Sequence, residues 1–401
     1  MSVDAEQMGE EANHEQTSHL ERLGSTMFSV GDMYQRIKDF KERQRSVGKT
    51  FYFAKVDVKA AFDTIPQTAI LSLMNRMPLH HQYSIQKYFS IQPDQAGTNA
   101  AASAGGTKPS RRWRSTAKGT GQAHDFRQLA EQQLAPNKRN TVFVESVVQT
   151  SHDTRGLLAL LSSHVEQNLV KIGKKYFRQK DGIPQGSILS SLLCNHFYAD
   201  LEREHLSFLQ GEGEGEGRGD GGGGDSLLLR LIDDFLLITT DRAKASRFVR
   251  VMHAGLPAYG VRVSPSKTLV SFDLVVDGAA VARVAPGRGF PYCGTLLDTR
   301  TLDIAKDRDR VPGPVVVGDA LTVEFARAPG RALRRKVLHA FRIQSHLMYF
   351  DTTHNAPHAV LRNVHEVFVE TATKMWAYVR CLPRAKRPRP ALVVGMCSCR
   401  G

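Results

Sequence analysis

Two adjacent carboxylates lie inside a strongly apolar stretch, and this constrains the fold more than any other feature of the sequence. The stretch reads LLLRLIDDFLLIT, with Asp233 and Asp234 at its centre. Side chains alternate between the two faces of a strand, so one uninterrupted strand would bury a carboxylate at a high cost. A hairpin turn at Ile232–Phe235 avoids that cost by presenting both carboxylates at its tip. We therefore predict a β-hairpin, against the ordinary alternative of a surface Asp-Asp turn.

A third carboxylate has a matching setting and points to a metal site. Asp57 ends the apolar strand of TFYFAKVDVKAAFDTIPQ, which continues through a turn into a helix beginning at Ile65 and Pro66. A cap of that helix is the plainer alternative role, and it suits Asp63 better than Asp57. Neighbouring carboxylates repel, and without a cation one of them tends to hold a proton. Three carboxylates at adjacent strand ends predict a site for two Mg²⁺ ions, the arrangement that assists phosphoryl transfer.

The charge balance favours a polyanionic partner such as nucleic acid or an acidic membrane surface. Lys and Arg number 54 against 40 Asp and Glu, a formal charge of +14, and 17 basic against 8 acidic residues follow position 300. No apolar run reaches the roughly 18 residues of a membrane span, and the N-terminus is too acidic for a signal peptide. Five cysteines without zinc-finger spacing indicate reduced thiols. We expect a soluble, intracellular protein with no membrane partner.

Composition divides the chain into segments. Residues 1–30 are polar and predict a disordered lead-in. Low-complexity insertions are expected at 91–140, where a glycine-rich run precedes the basic RRWRSTAKGTGQ, and at 210–225, which is mostly glycine. Between them, strand-like segments (TFYFAKVDV, SLLLRLI, FLLITT) alternate with helical ones (IPQTAILSLMNRM, LLALLSSHVEQNLVKI, ILSSLLCNHFYADLERE). The pattern predicts an α/β fold whose sheet contains antiparallel hairpins.

Five segments, in this order, resemble the palm motifs A, B′, C, D and E of telomerase reverse transcriptase. They are FYFAKVDVKAAFDTIPQ, RQKDGIPQGSILSSLLCNHFYADLE, LLLRLIDDFLLIT, YGVRVSPSKTLVSF and FPYCGTLLDTRTLDI. The resemblance implies a right-hand polymerase palm with partial fingers over residues 31–310, built mainly from antiparallel sheet with helices. It also implies a partial helical thumb over 311–383, followed by a basic tail over 384–401.

The resemblance assigns catalytic roles to four residues. Asp57, Asp233 and Asp234 match the metal-binding triad of the family. Lys267, in SPSKT, matches the motif D lysine that protonates the pyrophosphate leaving group, although a surface lysine is the plainer interpretation of that residue alone.

Further residues are assigned to nucleotide and nucleic-acid binding by the same resemblance. Phe62 matches the aromatic residue that stacks under the incoming sugar, and a core aromatic is the equally weighted alternative. The other positions are Gln185, Gly186 and Ser187 at the nascent base pair, and Cys293 and Gly294 in the primer grip. Tyr292 replaces a tryptophan there and is expected to keep an aromatic surface.

The segment from Arg331 to Met348 is expected to be one amphipathic helix of the thumb. Its apolar positions are Leu333, Val337, Ala340, Phe341 and Leu347, and its basic positions are Arg331, Arg334, Arg335 and Arg342. The resemblance places such a helix beside an RNA–DNA hybrid, with Arg334 and Arg335 as phosphate contacts. A solvated basic face is the plainer alternative.

The implied function is addition of deoxynucleotides to the 3′ end of telomeric single-stranded DNA, templated by the telomerase RNA. The implied partners are therefore template RNA, DNA primer, RNA–DNA hybrid and deoxynucleotide triphosphates, and the implied location is the telomere in the nucleus. Upstream of Thr50 the basic fingers motifs and the RNA-binding domain of the family are not recognisable, so the chain resembles a fragment. A retroelement reverse transcriptase and a non-catalytic nucleic-acid-binding remnant remain the alternatives.

Overall fold

The computed structural model describes residues 23–44, 50–92, 110–119, 126–135, 140–209, 224–308, 328–391 and 395. The chain divides into two compact units, one formed by residues 1–61 with 194–401 and the other by residues 62–193.

The strands and helices have the following bounds. The strands are β1 (Tyr52–Asp57), β2 (Gln82–Gln92), β3 (Ser110–Gly119), β4 (Val142–Asp153), β5 (Leu169–Ile172), β6 (Lys175–Arg178), β7 (Ser226–Leu231), β8 (Asp234–Thr239), β9 (Leu269–Val270), β10 (Val275–Val276), β11 (Ala279–Ala280), β12 (Ala282–Arg283), β13 (Phe290–Tyr292), β14 (Thr295–Leu297) and β15 (Ile304–Lys306). The helices are α1 (Val30–Arg43), α2 (Ala61–Thr64), α3 (Gln67–Arg76), α4 (Phe126–Leu129), α5 (Thr154–Glu166), α6 (Ile188–His205), α7 (Arg242–Ala254), α8 (Pro329–Gln344), α9 (Leu347–Phe350) and α10 (Pro357–Cys381). A π-helical turn, Ala130–Leu134, follows α4.

The first unit is built on a five-stranded sheet in the order β12-β9-β1-β8-β7. Its pairs are antiparallel except for the short β12–β9 pair. Strands β7 and β8 are almost wholly buried, because apolar side chains occupy both of their faces. The predicted α/β fold with a mainly antiparallel sheet is confirmed.

Helices cover both faces of this sheet. Helix α1 is held at its start by a capping box between Ser29 and Asp32, and its apolar side packs into the main core with the central strands and the β13–β14 hairpin. Helix α7 is capped by Asp241 and packs on β1 and β8. This double covering keeps the ends of β1 and β8 in a fixed register, and the carboxylates lie at those ends.

The described part of the predicted disordered lead-in, residues 23–30, is folded, so that boundary was wrong. Leu23, Ser25, Thr26 and Met27 are buried. The segment runs parallel beside β7, where Met27 N–H donates to the Arg230 carbonyl at 2.8 Å and Arg230 N–H donates to the Ser25 carbonyl at 3.0 Å. This tertiary pairing stabilises a segment whose own composition carries no strand signal.

The C-terminal part of the first unit is helical, but the predicted single helix from Arg331 to Met348 is wrong. Helix α8 ends at Gln344, and the short α9 starts at Leu347. Leu333 is buried against Tyr378 and Leu382 of the α10 region, whereas Leu347 is exposed. Leu347 therefore does not belong to the apolar face of α8.

The second unit contains a three-stranded antiparallel sheet in the order β3-β2-β4 and a two-stranded β5–β6 hairpin. Its helices include α3 and α5, which contact each other. Two sequence predictions fail here. The basic RRWRSTAKG of the expected insertion is strand β3, and the expected helix LLALLSSHVEQNLVKI ends at Glu166 and continues into β5. The second expected insertion lies almost wholly outside the described residues.

Within the described ranges, no helix is both long enough and apolar enough to cross a lipid bilayer.

Candidate functional site

The β7–β8 hairpin places two carboxylates at the tip of the main sheet. Its last pair is Leu231 with Asp234, so the two turn residues are Ile232 and Asp233, and Asp234 is the first residue of β8. The turn therefore closes one residue earlier than predicted. Ile232 adopts φ of 59°, a left-handed conformation that is strained for a β-branched residue.

The third carboxylate belongs to the neighbouring strand. Strand β1 pairs antiparallel with β8 in a register that sets Asp57 opposite Asp234. Just beyond Asp57, Val58 N–H donates to the Asp233 carbonyl at 3.2 Å. The structure thus brings all three predicted metal ligands together, although Asp57 and Asp233 are far apart in sequence.

The carboxylates lie in an environment that disfavours their shared negative charge. Burial raises the pKa of Asp233, and the nearby Asp57 raises it further. Burial also raises the pKa of Asp234, opposed by Lys55 and reinforced by Asp233 and Asp57. A positive charge at this tip would relieve the repulsion.

Lys267 supplies one such charge. Its Nζ donates to Asp57 Oδ2 at 2.8 Å, and that bond to Asp57 raises the pKa of the lysine. The lysine side chain is 65% exposed while that of Asp57 is 15% exposed, so the ammonium reaches the carboxylate from the solvent side. The predicted motif D lysine and motif A aspartate are therefore in direct contact.

A fully buried arginine, Arg230, forms hydrogen bonds that stabilise the hairpin. Its Nε donates to Glu202 Oε1 at 2.5 Å, and its Nη1 donates to the carbonyl of Ile232 at 3.2 Å. The rings of Tyr198 and Phe235 each lie with their centroid 5.7 Å from the guanidinium carbon. Arg230 thus connects the strained turn to helix α6 through a buried ion pair.

The partners of Arg230 and Glu202 include the folded N-terminal segment. Glu202 accepts hydrogen bonds from the backbone N–H of Ser25 at 2.8 Å and from its hydroxyl at 2.6 Å. Arg230 also donates to Thr26 Oγ1 and to the side-chain and backbone oxygens of Asn195. Both buried charges are therefore surrounded by hydrogen-bonding partners, which is the condition for keeping such charges inside a protein.

The β13–β14 hairpin is hydrogen-bonded to the tip of the β7–β8 hairpin. The Tyr292 hydroxyl donates to the Asp234 carbonyl at 2.9 Å, and Tyr292 is only 1% exposed. The expected aromatic surface at this position is therefore wrong, because the ring belongs to the core. Cys293 follows at φ of 46° and Gly294 at φ of 78°, which makes a tight turn between the two strands.

A cavity of about 840 Å³ lies between the hairpin tip and the β13–β14 turn. Its lining includes Asp234, Cys293 and Gly294 together with basic side chains, and the basic residues are Lys55, Arg283, Arg288 and Arg362. Two carboxylates, Asp234 and Asp307, also line the cavity, so its basic residues are in the majority. A mainly basic cavity suits a phosphate backbone.

Comparisons with known proteins identify the polymerases that this chain is similar to. Residues 145–296 match the family model described as reverse transcriptase (RNA-dependent DNA polymerase). The chain is 30% identical over 389 residues to the telomerase reverse transcriptase of Mus musculus, covering 95% of this chain and 33% of the mouse protein. It is also 30% identical over 388 residues to that of Rattus norvegicus, covering 94% of this chain and 32% of the rat protein. The chain is similar to telomerase reverse transcriptases along most of its length.

The chain spans about one third of the length of these curated relatives. A solved structure of telomerase from Candida albicans, in complex with a TWJ fragment of telomeric RNA, has the same fold at a TM-score of 0.55. Its sequence identity is 18%, and the match covers 92% of this chain and 46% of that chain.

In the second unit, the segment that resembles motif B′ lies against the backbone of Phe62, the aromatic residue of motif A. Gly182 has φ of 74°, and a Cβ at this position would collide with the Phe62 carbonyl, so only glycine permits this approach. The next residue, Ile183, donates its N–H to the same carbonyl at 2.7 Å. Phe62 itself is half-buried, so its ring is not enclosed in a core.

Gln185, Gly186 and Ser187 lie on the accessible loop before α6. Gln185 Nε2 donates to Asp63 Oδ1 at 2.8 Å, and Ser187 Oγ lies 3.0 Å from His164 Nε2. Gly186 has φ of 83° and open space where a side chain would stand. A nucleotide contact at these three residues remains a prediction.

The thumb arginines lie on one helix of the first unit. Arg331, Arg334, Arg335 and Arg342 of α8 line a groove of about 670 Å³ together with His339 and Leu338. Arg334 and Arg335 are both exposed. The arrangement suits phosphate contacts, and the hybrid contact itself remains a prediction.

The carboxylates fit a divalent cation in ligand type and charge, but they are not a finished metal site. Across the described ranges, no three Asp, Glu, His or Cys side chains already converge to hold a metal. Carboxylate oxygens are nevertheless the ligands that Mg²⁺ prefers. Burial, together with the neighbouring carboxylates, raises the pKa values of Asp233 and Asp234. A cation at this site would share the Asp57 carboxylate with Lys267 or displace the lysine from it.

Sequence reasoning missed Arg230, Glu202 and the hydroxyl of Tyr292. Arg230 was visible as a charged residue inside an apolar strand, the same anomaly that singled out the aspartates. Glu202 and Tyr292 carried no local signal, because each acts through partners distant in sequence.

Proposed function

We propose that this chain is the catalytic part of a telomerase reverse transcriptase, which extends the 3′ end of telomeric DNA on an RNA template. The observation that carries this proposal is the pairing of Asp57 opposite Asp234, with Asp233 adjacent and Lys267 bonded to Asp57. Similarity to telomerase reverse transcriptases supports the reaction class, and the paired carboxylates support the choice of residues.

The reaction joins the 3′ oxygen of the primer to the α-phosphorus of a deoxynucleotide triphosphate and breaks the bond to pyrophosphate. Asp57, Asp233 and Asp234 would hold two Mg²⁺ ions, which supply charge stabilisation to the attacking and leaving oxygens. The raised pKa values of Asp233 and Asp234 express the electrostatic cost that the carboxylates carry without such cations.

Lys267 is the general acid in this proposal. Its bond to Asp57 raises its pKa, so it is protonated at neutral pH, and its side chain faces the solvent where a triphosphate enters. It donates its proton to the pyrophosphate oxygen as the bond to phosphorus breaks.

The proposed partners follow from the same reaction. The basic cavity between β1 and the β13–β14 turn receives the DNA primer, with Cys293 and Gly294 at its terminus, and the α8 groove receives the RNA–DNA hybrid. Telomerase RNA is the template, and Phe62, Gln185, Gly186 and Ser187 contact the incoming nucleotide. The proposed site of action is the telomere in the nucleus.

Single-nucleotide addition by the 401-residue chain tests the proposal. The substrate is an RNA–DNA hybrid with a recessed DNA 3′ end, one complementary deoxynucleotide triphosphate and Mg²⁺. We expect addition by the wild-type chain and a loss of at least about a hundredfold in Asp57→Asn, because a metal ligand contributes several kcal/mol to the transition state.

Asp277→Asn is the matched control, since it removes an exposed carboxylate of the same unit and is expected to leave addition unchanged. Equal addition by Asp57→Asn and the wild type would contradict the assigned site. No addition by the wild-type chain would favour a nucleic-acid-binding remnant.

A further inference from the structure

The three-stranded sheet of the second unit has one covered face and one open face. On β2 the residues Gln86, Tyr88 and Ser90 are buried, whereas those between them are more exposed. Tyr88 packs against Leu129 and Leu134, so the helical segment after β3 covers that face. Nothing among the described residues covers the other face to the same extent.

The open face carries a stack of aromatic and guanidinium groups. Phe89 of β2 pairs directly with Trp113 of β3, and their ring centroids are 4.7 Å apart. The guanidinium carbon of Arg111 lies 4.9 Å from the Phe89 centroid. Trp113 remains 60% exposed in spite of these contacts. A large aromatic ring that is fixed by its neighbours and still exposed can stack with a planar ligand.

The charge of this face is positive. Arg111 and Lys87 lie on it, and Arg112 and Arg114 extend from the same edge strand toward the other side. Glu145 of β4 pairs opposite the buried Tyr88, so its carboxylate belongs to the covered face. Among the described side chains, the open face therefore combines aromatic rings with basic groups and carries no carboxylate.

We propose that this face of β2 and β3 binds single-stranded nucleic acid, with a base stacked on Trp113 and phosphates on Arg111 and Lys87. Single strands expose the faces of their bases, which duplexes keep stacked, and aromatic side chains with neighbouring basic groups bind them in this way. Charge complementarity selects a polyanion, and the exposed ring selects unpaired bases. The proposal extends beyond nucleotide addition, because this surface holds a strand without reacting with it.

Tryptophan fluorescence provides a local test. The chain has two tryptophans, so Trp376→Phe in the full 401-residue chain leaves Trp113 as the only reporter. The probes are single-stranded DNA and single-stranded RNA of one mixed sequence, about 12 nucleotides long, and the blunt duplex of that DNA. We expect a single strand to quench Trp113 emission more strongly than the duplex does. The strand that quenches at the lower concentration identifies DNA or RNA as the ligand.

Two neighbouring arginines give a matched pair of variants. Arg111→Ala removes the proposed phosphate contact and is expected to weaken the single strand by at least about fivefold, the scale of one hydrogen bond to a charged group. Arg112→Ala removes the same charge from the other side of β3 and is expected to weaken binding by less than about twofold.

Three results would overturn the proposal. They are unchanged Trp113 emission with both single strands, equal quenching by the duplex, and equal weakening by Arg111→Ala and Arg112→Ala. A circular dichroism spectrum matching the wild type shows that each variant is folded. Because the readout is binding at Trp113, it is independent of whether the chain adds nucleotides.

Discussion

Arg230 shows how one residue supports the proposed catalytic hairpin without belonging to it. Its charge is fully buried, it forms an ion pair with Glu202, and it holds the carbonyl of the strained Ile232. A buried ion pair contributes little net stability, but loss of one partner leaves the other charge uncompensated. The pair therefore makes the turn dependent on helix α6.

We predict that Arg230→Met lowers the free energy of unfolding by about 3–5 kcal/mol, because Glu202 is left buried without its partner. The double variant Arg230→Met with Glu202→Leu should be more stable than the single variant. Urea denaturation measures both values, and Lys244→Met, which breaks a half-exposed pair with Asp225, should cost no more than about 1 kcal/mol. Losses in the double variant that equal the sum of both single variants would contradict this account.

His354 is a second buried residue whose protonation state affects stability. Its Nε2–H donates to the Leu302 carbonyl at 2.9 Å, and its ring meets that of Tyr34 edge-on at 5.7 Å. Burial and, to a smaller extent, the positive charge of Lys41 lower its pKa to about 4, while the hydrogen bond to Leu302 and the charges of Asp303 and Asp351 oppose the shift.

The folded state therefore binds this proton less readily than the unfolded state. Stability should be fully present above about pH 6.5 and should fall as the pH decreases toward 4, by up to about 3 kcal/mol. The melting temperature between pH 7 and pH 5 measures this slope. His354→Asn should flatten it, whereas His358→Asn, at an exposed position, should leave it unchanged. A slope unaffected by His354→Asn would assign the pH dependence to other groups.

Among the elements, the β7–β8 hairpin was predictable from sequence and strand β3 was not. The hairpin was predictable because burying either aspartate is costly, so only a turn at the aspartates is compatible with apolar strands. Strand β3 has basic residues on both faces and only one large apolar side chain, since it is an edge strand with an open face. Alternation of hydrophobicity therefore gave no signal.

The register of β1 against β8 was not readable from sequence either. The resemblance to palm motifs implied that Asp57 and Asp234 meet, but the residue-by-residue pairing of β1 with β8 that sets them opposite is a tertiary feature of the folded sheet. Residues 23–29 were missed for a similar reason, because their order comes from pairing with β7 and from the bonds of Ser25 to Glu202.

Helix α8 carries a prediction for the thumb. Arg334 and Arg335 line its groove and are exposed, so phosphates that bind there release counterions. We predict that Arg334→Gln with Arg335→Gln lowers the slope of log affinity against log salt by up to about two for an RNA–DNA hybrid. Filter binding between low and moderate salt measures it.

The control for the thumb prediction is Arg203→Gln with Arg250→Gln, which removes the same charge from α6 and α7. It should leave the slope nearly unchanged, and an equal change in both double variants would indicate an effect of net charge alone.

At the scale of the whole molecule, the proposed catalytic carboxylates and the residues that support them all belong to the first unit. Asp57, Asp233, Asp234 and Lys267 lie there with Arg230 and Tyr292, so the proposed cation site and the residues that support it are contained in one unit. The second unit contributes the motif B′ residues and the open face of β2 and β3. Strands β1 and β8 both lie in the first unit, so their pairing is sufficient to bring the carboxylates near each other.

Mn²⁺ binding to the 401-residue chain, measured by electron paramagnetic resonance, tests the central claim that the three carboxylates form one cation site. We predict that the wild-type chain binds Mn²⁺, that Asp57→Asn and Asp233→Asn each weaken binding at least tenfold, about 1.4 kcal/mol, and that Asp277→Asn binds as the wild type does. Wild-type Mn²⁺ affinity in Asp57→Asn would contradict the claim, because it would show that β1 contributes no ligand to the site.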